Sequence, residues 1–578
     1  MSDVLFLILR RMRAPLIILI LAYTVAVFGL ALMPGVLPDG TPAKLSIFHA
    51  FYVVSYTATT IGFGEIPHPF SEAQRLWMII VIYLTVIGWT YTLGSIFRLT
   101  SDVTFRAAIS RSMFAWRVRS VGQKFFILCG YGQSAKQLAK ALDALGYRIV
   151  VVELRPDRAG RLEIEDLSMP AYVLCEDARF PDVLREAGID RPQCCGLLAL
   201  TGSDDANQTI AVGAHTLKPD LLVIARAKSE TAKSNLSAFG GVEVINPFQT
   251  FATNIALDLD APDVLRLEEW LTGSPGSECP PRLGLPTGPW VIVGYGRFGR
   301  AIGNVLDARG IEWRAVDHHK IEDSPLKLLV GDDTDGTLHD VGIESAAVVV
   351  AGTDNDATNL AITTLARRAN PNIFVIIRQN HIADRVLIRA ARADLAFVQA
   401  DLMVHECLQL ITVPLLRTLL KHVADQGAIS GTHMLETIQD SLGTLSPLAW
   451  TFHCDVMQPG MFAALFQNNG QPFRISYLQT DPGTGNDPLA CIPLMLMRHG
   501  VIGVLPESET VLQPGDHVLF VGDERAQHLQ QRYLTDVSAV HFVRSGIEVP
   551  RSWLFRYLQQ RQHEQRSRAT ARRESSQP

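Results

Sequence analysis

Residues 57–65 read TATTIGFGE, inside an uncharged run that extends from Leu45 to Gly64. Threonine and glycine are poor material for a helix facing lipid, because glycine in a helix interior costs about 1 kcal/mol relative to alanine. The segments on either side are different. Ala14–Met33 carries no charge over 20 residues and Leu76–Phe97 none over 22. Each matches the roughly 20 residues that cross about 30 Å of hydrocarbon as a helix. Arg10, Arg11 and Arg13 precede the first span, and Arg98, Arg106, Arg111, Arg117 and Arg119 follow the second. By the positive-inside rule both flanks, and with them both termini, face the cytoplasm. A cleaved signal peptide would have a shorter apolar core. Leu45–Gly64 must then enter from outside and return: Leu45–Thr57 as a short re-entrant helix, TTIGFG as extended backbone. Such backbone is tolerated at membrane depth only where protein or water shelters it, and four copies around an axis would supply that shelter.

A dehydrated cation needs oxygen ligands in place of its water shell, and rings of backbone carbonyls provide them without full negative charge. Gly62 and Gly64 permit the backbone angles that aim successive carbonyls inward. Thr59-Thr60-Ile61-Gly62-Phe63-Gly64-Glu65 resembles the filter signature TTVGYGD of the potassium channels. The resemblance implies that Thr60, Ile61, Gly62 and Phe63, with Gly64 behind them, line a K+ filter in a homotetramer. Phe63 lacks the tyrosine hydroxyl that braces the filter in many relatives, and Glu65 replaces aspartate; both bear on filter rigidity and K+/Na+ selectivity. Gly88 and Gly94 in the second span are candidate hinges for opening, with close helix packing as the alternative reading. No series of arginines at every third position marks a voltage sensor.

The chain has 578 residues and a net charge of −6, which gives no reason to invoke nucleic acid; its eight cysteines form no CxxC pair of a zinc site. Past Gln123 the pattern changes. KFFILCGYGQSAKQLAKALDALGYRIVVVE gives an apolar strand, Gly130-x-Gly132-x-x-Ala135, a helix, and a second strand ending at Glu153. This is the dinucleotide-binding βαβ fingerprint: a turn, room for phosphate at the helix N-terminus, and an acid for ribose hydroxyls. It recurs as WVIVGYGRFGRAIGNVLDARGIEWRAVD, with Gly294, Gly296, Arg297, Gly299 and Asp317. Gly130 to Gly294 and Glu153 to Asp317 are both 164 residues apart, so the repeat keeps register. LLALTGSDDAN at 197–207 and VIARAKSE at 223–230 recur as VVVAGTDNDATN at 348–359 and VIIRQNHI at 375–382. The acids suit free ribose hydroxyls, favouring NAD or an adenine nucleotide over NADP. Phe248–Leu271 reads as one long helical pattern.

Together the two units resemble the RCK domain, the regulator of K+ conductance also found in Trk-type uptake regulators. GVLPESETVLQPGDHVLFVGD at 503–523 resembles the small C-terminal lobe of that family. The expected architecture is a helical two-span pore domain with two cytoplasmic Rossmann-like α/β domains and a small C-terminal lobe. Its boundaries are 1–100 for the pore, 101–123 for a gating linker, and 124–272 for the first α/β unit with its helix. Then come a linker at 273–287, the second unit at 288–425, the lobe at 426–545 and a basic tail at 546–578. The resemblance implies a non-enzymatic, ligand-gated K+ channel of the cell inner (plasma) membrane, a homotetramer whose eight α/β domains form a gating ring. Rival readings are a membrane-anchored NAD-dependent oxidoreductase and a regulatory subunit of a potassium transporter. Ca2+ is a further candidate ligand and the metal ligands are unknown. Asp332, Asp333 and Asp335 read better as loop carboxylates than as a cation site, and the tail from Arg551 better as a solvated end than as a lipid contact.

Overall fold

The computed structural model describes residues 2–37, 40–162, 166–318, 328–331, 335–466 and 472–546. The chain divides into two compact units, residues 1–127 with 148–195, and residues 128–147 with 196–578.

The first unit opens with α1 (Ser2–Leu32), α2 (Ile47–Ala58), α3 (Glu72–Ser101) and α4 (Val103–Arg119). Met12–Leu32 and Glu72–Ser101 are long and apolar enough to cross a membrane. Leu16, Ile17, Ile20, Ile80 and Ile87 point outward, while Ala26, Leu30 and Val81 close on Ala50, Val53 and Val54 of α2. Close approach rather than water exclusion holds such helices together in lipid. Gly29 provides it: a Cβ there would lie 2.0 Å from the Trp77 ring, whose Nε1 donates to the Ala26 carbonyl at 3.1 Å. Ser71 starts α3 with a reciprocal capping box to Gln74. The helix runs unbroken through Gly88 and Gly94 and stops at Asp102, where ψ turns to 120°. The segment expected as a linker is mostly the helix α4. Its Arg111 makes a paired bond to Glu186, at 2.6 and 2.8 Å. This unit also holds β2 (Arg148–Val152), parallel to β3 (Tyr172–Leu174), and most of β1 (Phe125–Cys129).

The second unit contains α5 (Gln133–Ala144), most of β4 (Cys194–Ala199), and the strands β5 (Leu222–Arg226) and β6 (Val242–Ile245), with β4, β5 and β6 parallel. The second copy is complete within it: β7 (Trp290–Val293), β8 (Trp313–Asp317), β9 (Leu328–Val330), β10 (Val348–Ala351), β11 (Phe374–Gln379) and β12 (Leu395–Val398). Their order is β9-β8-β7-β10-β11-β12, all parallel, the doubly wound arrangement with its switch point between β7 and β10. Val348, Val349, Val350 and Ala351 are all fully buried, as strands covered on both faces require.

The pattern read as one helix over 248–271 is two: α6 (Pro247–Asp260) and α7 (Pro262–Thr272), parted at Ala261. Pro262 has no N–H to continue the ladder and pushes the preceding residue out of helical geometry. The second copy repeats the joint at Val413, between α9 (Gln399–Thr412) and α10 (Pro414–Gln426), 152 residues later. Between them lies α8 (Arg297–Ala308). The helices are exchanged between copies: α6 packs on α8 through Phe248, Phe251 and Phe298, and α9 packs on α5, where Gln137 donates to Asp401 at 3.0 Å.

The segment between the copies is pinned. Asp258 accepts from the Leu285 N–H at 2.8 Å, and the buried Asp263 binds Arg266, Arg282 and Thr432. The last lobe is an antiparallel sheet of β13 (Leu448–His453), β14 (Cys491–Arg498), β15 (Val501–Val504) and β16 (His517–Gly522), in the order β13-β16-β14-β15.

Candidate functional site

At the end of α2 the chain leaves helical geometry at Thr60, and then alternates: Thr60, Gly62 and Gly64 have φ of 60°, 66° and 89°. An added Cβ at Gly62 or Gly64 would meet no atom of the chain within 4 Å, so it is the backbone angle and not crowding within this chain that calls for glycine. Alternating left- and right-handed residues turn successive carbonyls to one side. The loop is braced without a hydroxyl at Phe63. Tyr56 of α2 donates its hydroxyl to the Gly64 carbonyl, and Phe63 stacks on Tyr52, with ring centroids 6.3 Å apart, and meets Tyr56 edge-on at 5.5 Å. Glu65 accepts from Arg75 Nε at 2.8 Å and from the Phe70 N–H at 2.7 Å. The Arg75 hydrogen bond holds its carboxyl below the ordinary range. Gly88 packs against Leu19 and Ala22, whereas nothing lies within 4 Å of a Cβ at Gly94.

The three positions of each glycine-rich turn are glycine or alanine for different reasons. The first, Gly130 and Gly294, has φ of 88° and 92°, and a Cβ would come within 2.9 Å of Thr201 and Thr353 respectively. At the third, a Cβ on Gly299 would lie 2.3 Å from the Gly294 carbonyl oxygen, whereas the first copy accommodates the fully packed Ala135. The second position is the informative one. Gly132 and Gly296 have φ of −84° and −75°, which any residue adopts, and a Cβ there meets nothing within 4 Å. Neither fold geometry nor packing demands glycine there, and open space lies over the position. Both residues begin a helix that has no side-chain cap, so its first N–H groups face that space.

In the second copy a cavity of about 330 Å³ lies over the turn, lined by Gly294, Gly296, Arg297, Asp317, Thr353 and Arg378 among others. Asp317 Oδ2 accepts the Tyr295 N–H at 2.7 Å, which ties the acid to the turn. Glu153, at the end of β2, is buried and accepts the Arg155 N–H at 2.9 Å. Cations from both copies gather here: burial, then Arg226 and Arg297, pushes Lys228 down to about 8. A phosphate-bearing ligand fits this donor set of backbone N–H groups and guanidinium.

Arg378 and Thr353 are absent from the sequence-derived site, yet they line the cavity. The signal was present, because the repeats align Arg226 with Arg378 and Thr201 with Thr353. Asn207 and Asn359 fix these loops identically, each accepting from its threonine N–H, at 2.8 and 2.9 Å, and donating to the arginine carbonyl, at 2.9 and 2.8 Å. Asp332, Asp333 and the tail from Arg551 lie outside the described residues; Asp335 begins a short helix.

These features define a membrane protein with two candidate spans, a braced loop between them and paired α/β domains of dinucleotide-binding type. Residues 16–102 match the ion channel family, and residues 126–247 and 290–399 each match the TrkA-N domain, so the chain joins a channel domain to two TrkA-N domains. It is 26% identical over 220 residues to potassium channel protein 1 of Methanocaldococcus jannaschii, covering 38% of this chain and 64% of the relative. It is 26% identical over 206 residues to the voltage-gated potassium channel Kch of Escherichia coli, covering 36% and 46%. An uncharacterised protein of Methanothermus fervidus is 31% identical over 234 residues, covering 40% and 34%. The chain thus spans between 34% and 64% of the length of these relatives. Among solved structures, the GsuK channel bound to NAD is similar at 16% identity and a TM-score of 0.46, over 92% of this chain and 99% of that one.

Proposed function

We propose that the protein is a potassium-selective channel, opened or closed by a nucleotide bound at its TrkA-N domains, and not an enzyme. The observation that carries the channel reading is the alternation of left-handed backbone at Thr60, Gly62 and Gly64 in a loop braced between two apolar spans. A row of inward carbonyls needs that backbone, and nothing else in a membrane anchor does. The relatives named as potassium channels support the choice of ion. Because one chain contributes a single wall of the filter, the working form is a homotetramer whose eight α/β domains make a cytoplasmic ring in the cell inner membrane. Thr60, Ile61, Gly62, Phe63 and Gly64 line the filter, and Gly88 and Gly94 are the points where α3 bends.

The unexplained glycine at Gly296, with Arg297 beside it and Asp317 across the cavity, supports NAD or an adenine nucleotide as the regulatory ligand. That ligand shifts the pore only by its difference in affinity for the open and closed states. The test is K+ flux from liposomes containing the purified chain, with and without NAD, ADP or ATP. K+ flux that exceeds Na+ flux and vanishes with Gly62→Ala is the expected result. Flux that survives Gly62→Ala overturns the filter. Absence of flux together with nicotinamide turnover returns the oxidoreductase reading, and flux only beside a separate transporter returns the regulatory-subunit reading.

A further inference from the structure

The edge of the last lobe carries a row of metal-ligating side chains far along the chain from the turns and the filter. His453 ends β13 and His517 begins β16, and the two are direct register partners of the antiparallel pair. Their Nδ1 atoms are 2.6 Å apart and the rings meet edge-on, with centroids 4.7 Å apart. The next register partner of His517, on β14, is Met497. Directly opposed residues in neighbouring strands project from the same face, so the two imidazoles and the Met497 side chain, which also packs against the apolar core of the lobe, share one face across three strands. The frame behind them is rigid: Cys454 N–H donates to the Asp516 carbonyl at 2.9 Å, Gly515 N–H to the Cys454 carbonyl at 3.1 Å, and buried Asp516 is paired with Arg498. His453 is exposed and His517 half-buried, which leaves the site open to water on one side.

We propose that His453, His517 and the neighbouring Met497 form a binding site for a copper ion. Two neutral imidazoles so close share one hydrogen between their Nδ1 atoms, and moving that hydrogen to Nε2 of the donor ring frees both lone pairs with no net loss of a proton. With metal–nitrogen bonds of about 2.0 Å, two cis ligands of a square-planar ion stand roughly 2.8 Å apart and two of a tetrahedral ion roughly 3.3 Å. The observed spacing needs the smaller opening for the square-planar geometry that Cu2+ prefers. The thioether adds a soft ligand that favours Cu+. Among the described residues no group of three His, Cys, Asp or Glu is arranged to hold a metal, so this site differs from a closed structural zinc centre by using only two such residues and a methionine. A bound ion would clamp the edge strand β13 to β16.

The test uses the untagged full-length chain in detergent micelles. Adding one equivalent of Cu2+ should give a paramagnetic resonance signal split by two nitrogens and should raise the thermal midpoint. Both effects should disappear in His453→Ala and in His517→Ala. Met497→Leu should keep the Cu2+ signal but weaken Cu+ binding at least tenfold in competition with a colorimetric Cu+ chelator. His453→Asn and His517→Asn repeat the measurement if either alanine variant unfolds without metal. A two-nitrogen signal that survives loss of either histidine, or no such signal in the parent, overturns the site; unchanged Cu+ affinity in Met497→Leu overturns the three-residue assignment.

Discussion

The two glycine-rich turns repeat one sequence device, and of the positions where they differ, Gln133/Arg297, Ser134/Phe298, Ala135/Gly299 and Glu153/Asp317, the third small residue and the acid bear most on how each turn is built. In the second copy Gly299 lets α8 lie so close to the turn that not even a methyl group fits, and Asp317 reaches back to the Tyr295 N–H. In the first, the third position is the buried Ala135, and the longer Glu153 accepts the backbone N–H of Arg155 at 2.9 Å. What both copies keep is the glycine that packing does not require. The proposed nucleotide would account for a glycine at that position in both copies, and the differing positions set how closely each turn is packed.

The largest expected effect is on the packing difference. Gly299→Ala should destabilise the second copy by about 3 kcal/mol, the upper range for forcing an extra methyl into a packed site, while Ala135→Gly should cost under about 1 kcal/mol. Denaturant unfolding of the solubilised chain reads both; equal losses would mean that the two turns are packed alike. Next comes the acid. Asp317→Ala should weaken nucleotide binding roughly ten- to hundredfold, corresponding to about 1.5–3 kcal/mol for a hydrogen bond to a charged group. Asp317→Asn should recover part of that loss by keeping an acceptor for Tyr295. Glu153→Ala is the matched variant, and if it rather than Asp317→Ala removes binding by calorimetry, the first copy is the responsive one. Gly296→Ala and Gly132→Ala should leave the unfolding midpoint within about 0.5 kcal/mol of the parent and still reduce binding about tenfold. A stability loss without a binding loss would return both glycines to a purely structural role.

The smallest expected effect lies at the joints. Glu268 of α7 occupies the position that Leu420 holds in α10, 152 residues later. Burial, then the Glu406 carboxylate, pushes Glu268 up to about 7. Its folded-state value is therefore above the ordinary 4.5, so no penalty applies below pH 4.5 and stability is lost as the pH rises through about 7. Glu268→Gln should raise the midpoint at pH 8 by the equivalent of at least about 1 kcal/mol and leave it nearly unchanged at pH 4, below the ordinary value. A flat difference between the two pH values would remove Glu268 as the titrating group.

Both spans and both glycine-rich turns were legible because each rests on local chemistry: run length without charge, and small residues at fixed spacing after a strand. The proline joints carried a local mark too, in Pro262 and Pro414, although the apolar pattern runs straight across them. Two features were not legible. The Tyr56 hydroxyl on the Gly64 carbonyl depends on how far the loop folds back, which no periodicity encodes. The exchange of α6 and α9 was hidden by the repeat itself: α5 and α8 present the same kind of apolar face, so nothing local says which copy a following helix will cover.

That exchange sets a schedule for the chain as it is made. The surface of α5 waits for α9, and Gln137 and Asp401 are 264 residues apart. At about 5–20 residues per second a ribosome needs roughly 13–53 s to cover that distance. For that interval the first domain is out of the ribosome with an apolar helix face uncovered, while the two spans upstream are already seeking the bilayer. Neither half is a natural cut point for expression, and a nascent chain stalled before residue 399 should be held by chaperones rather than folded.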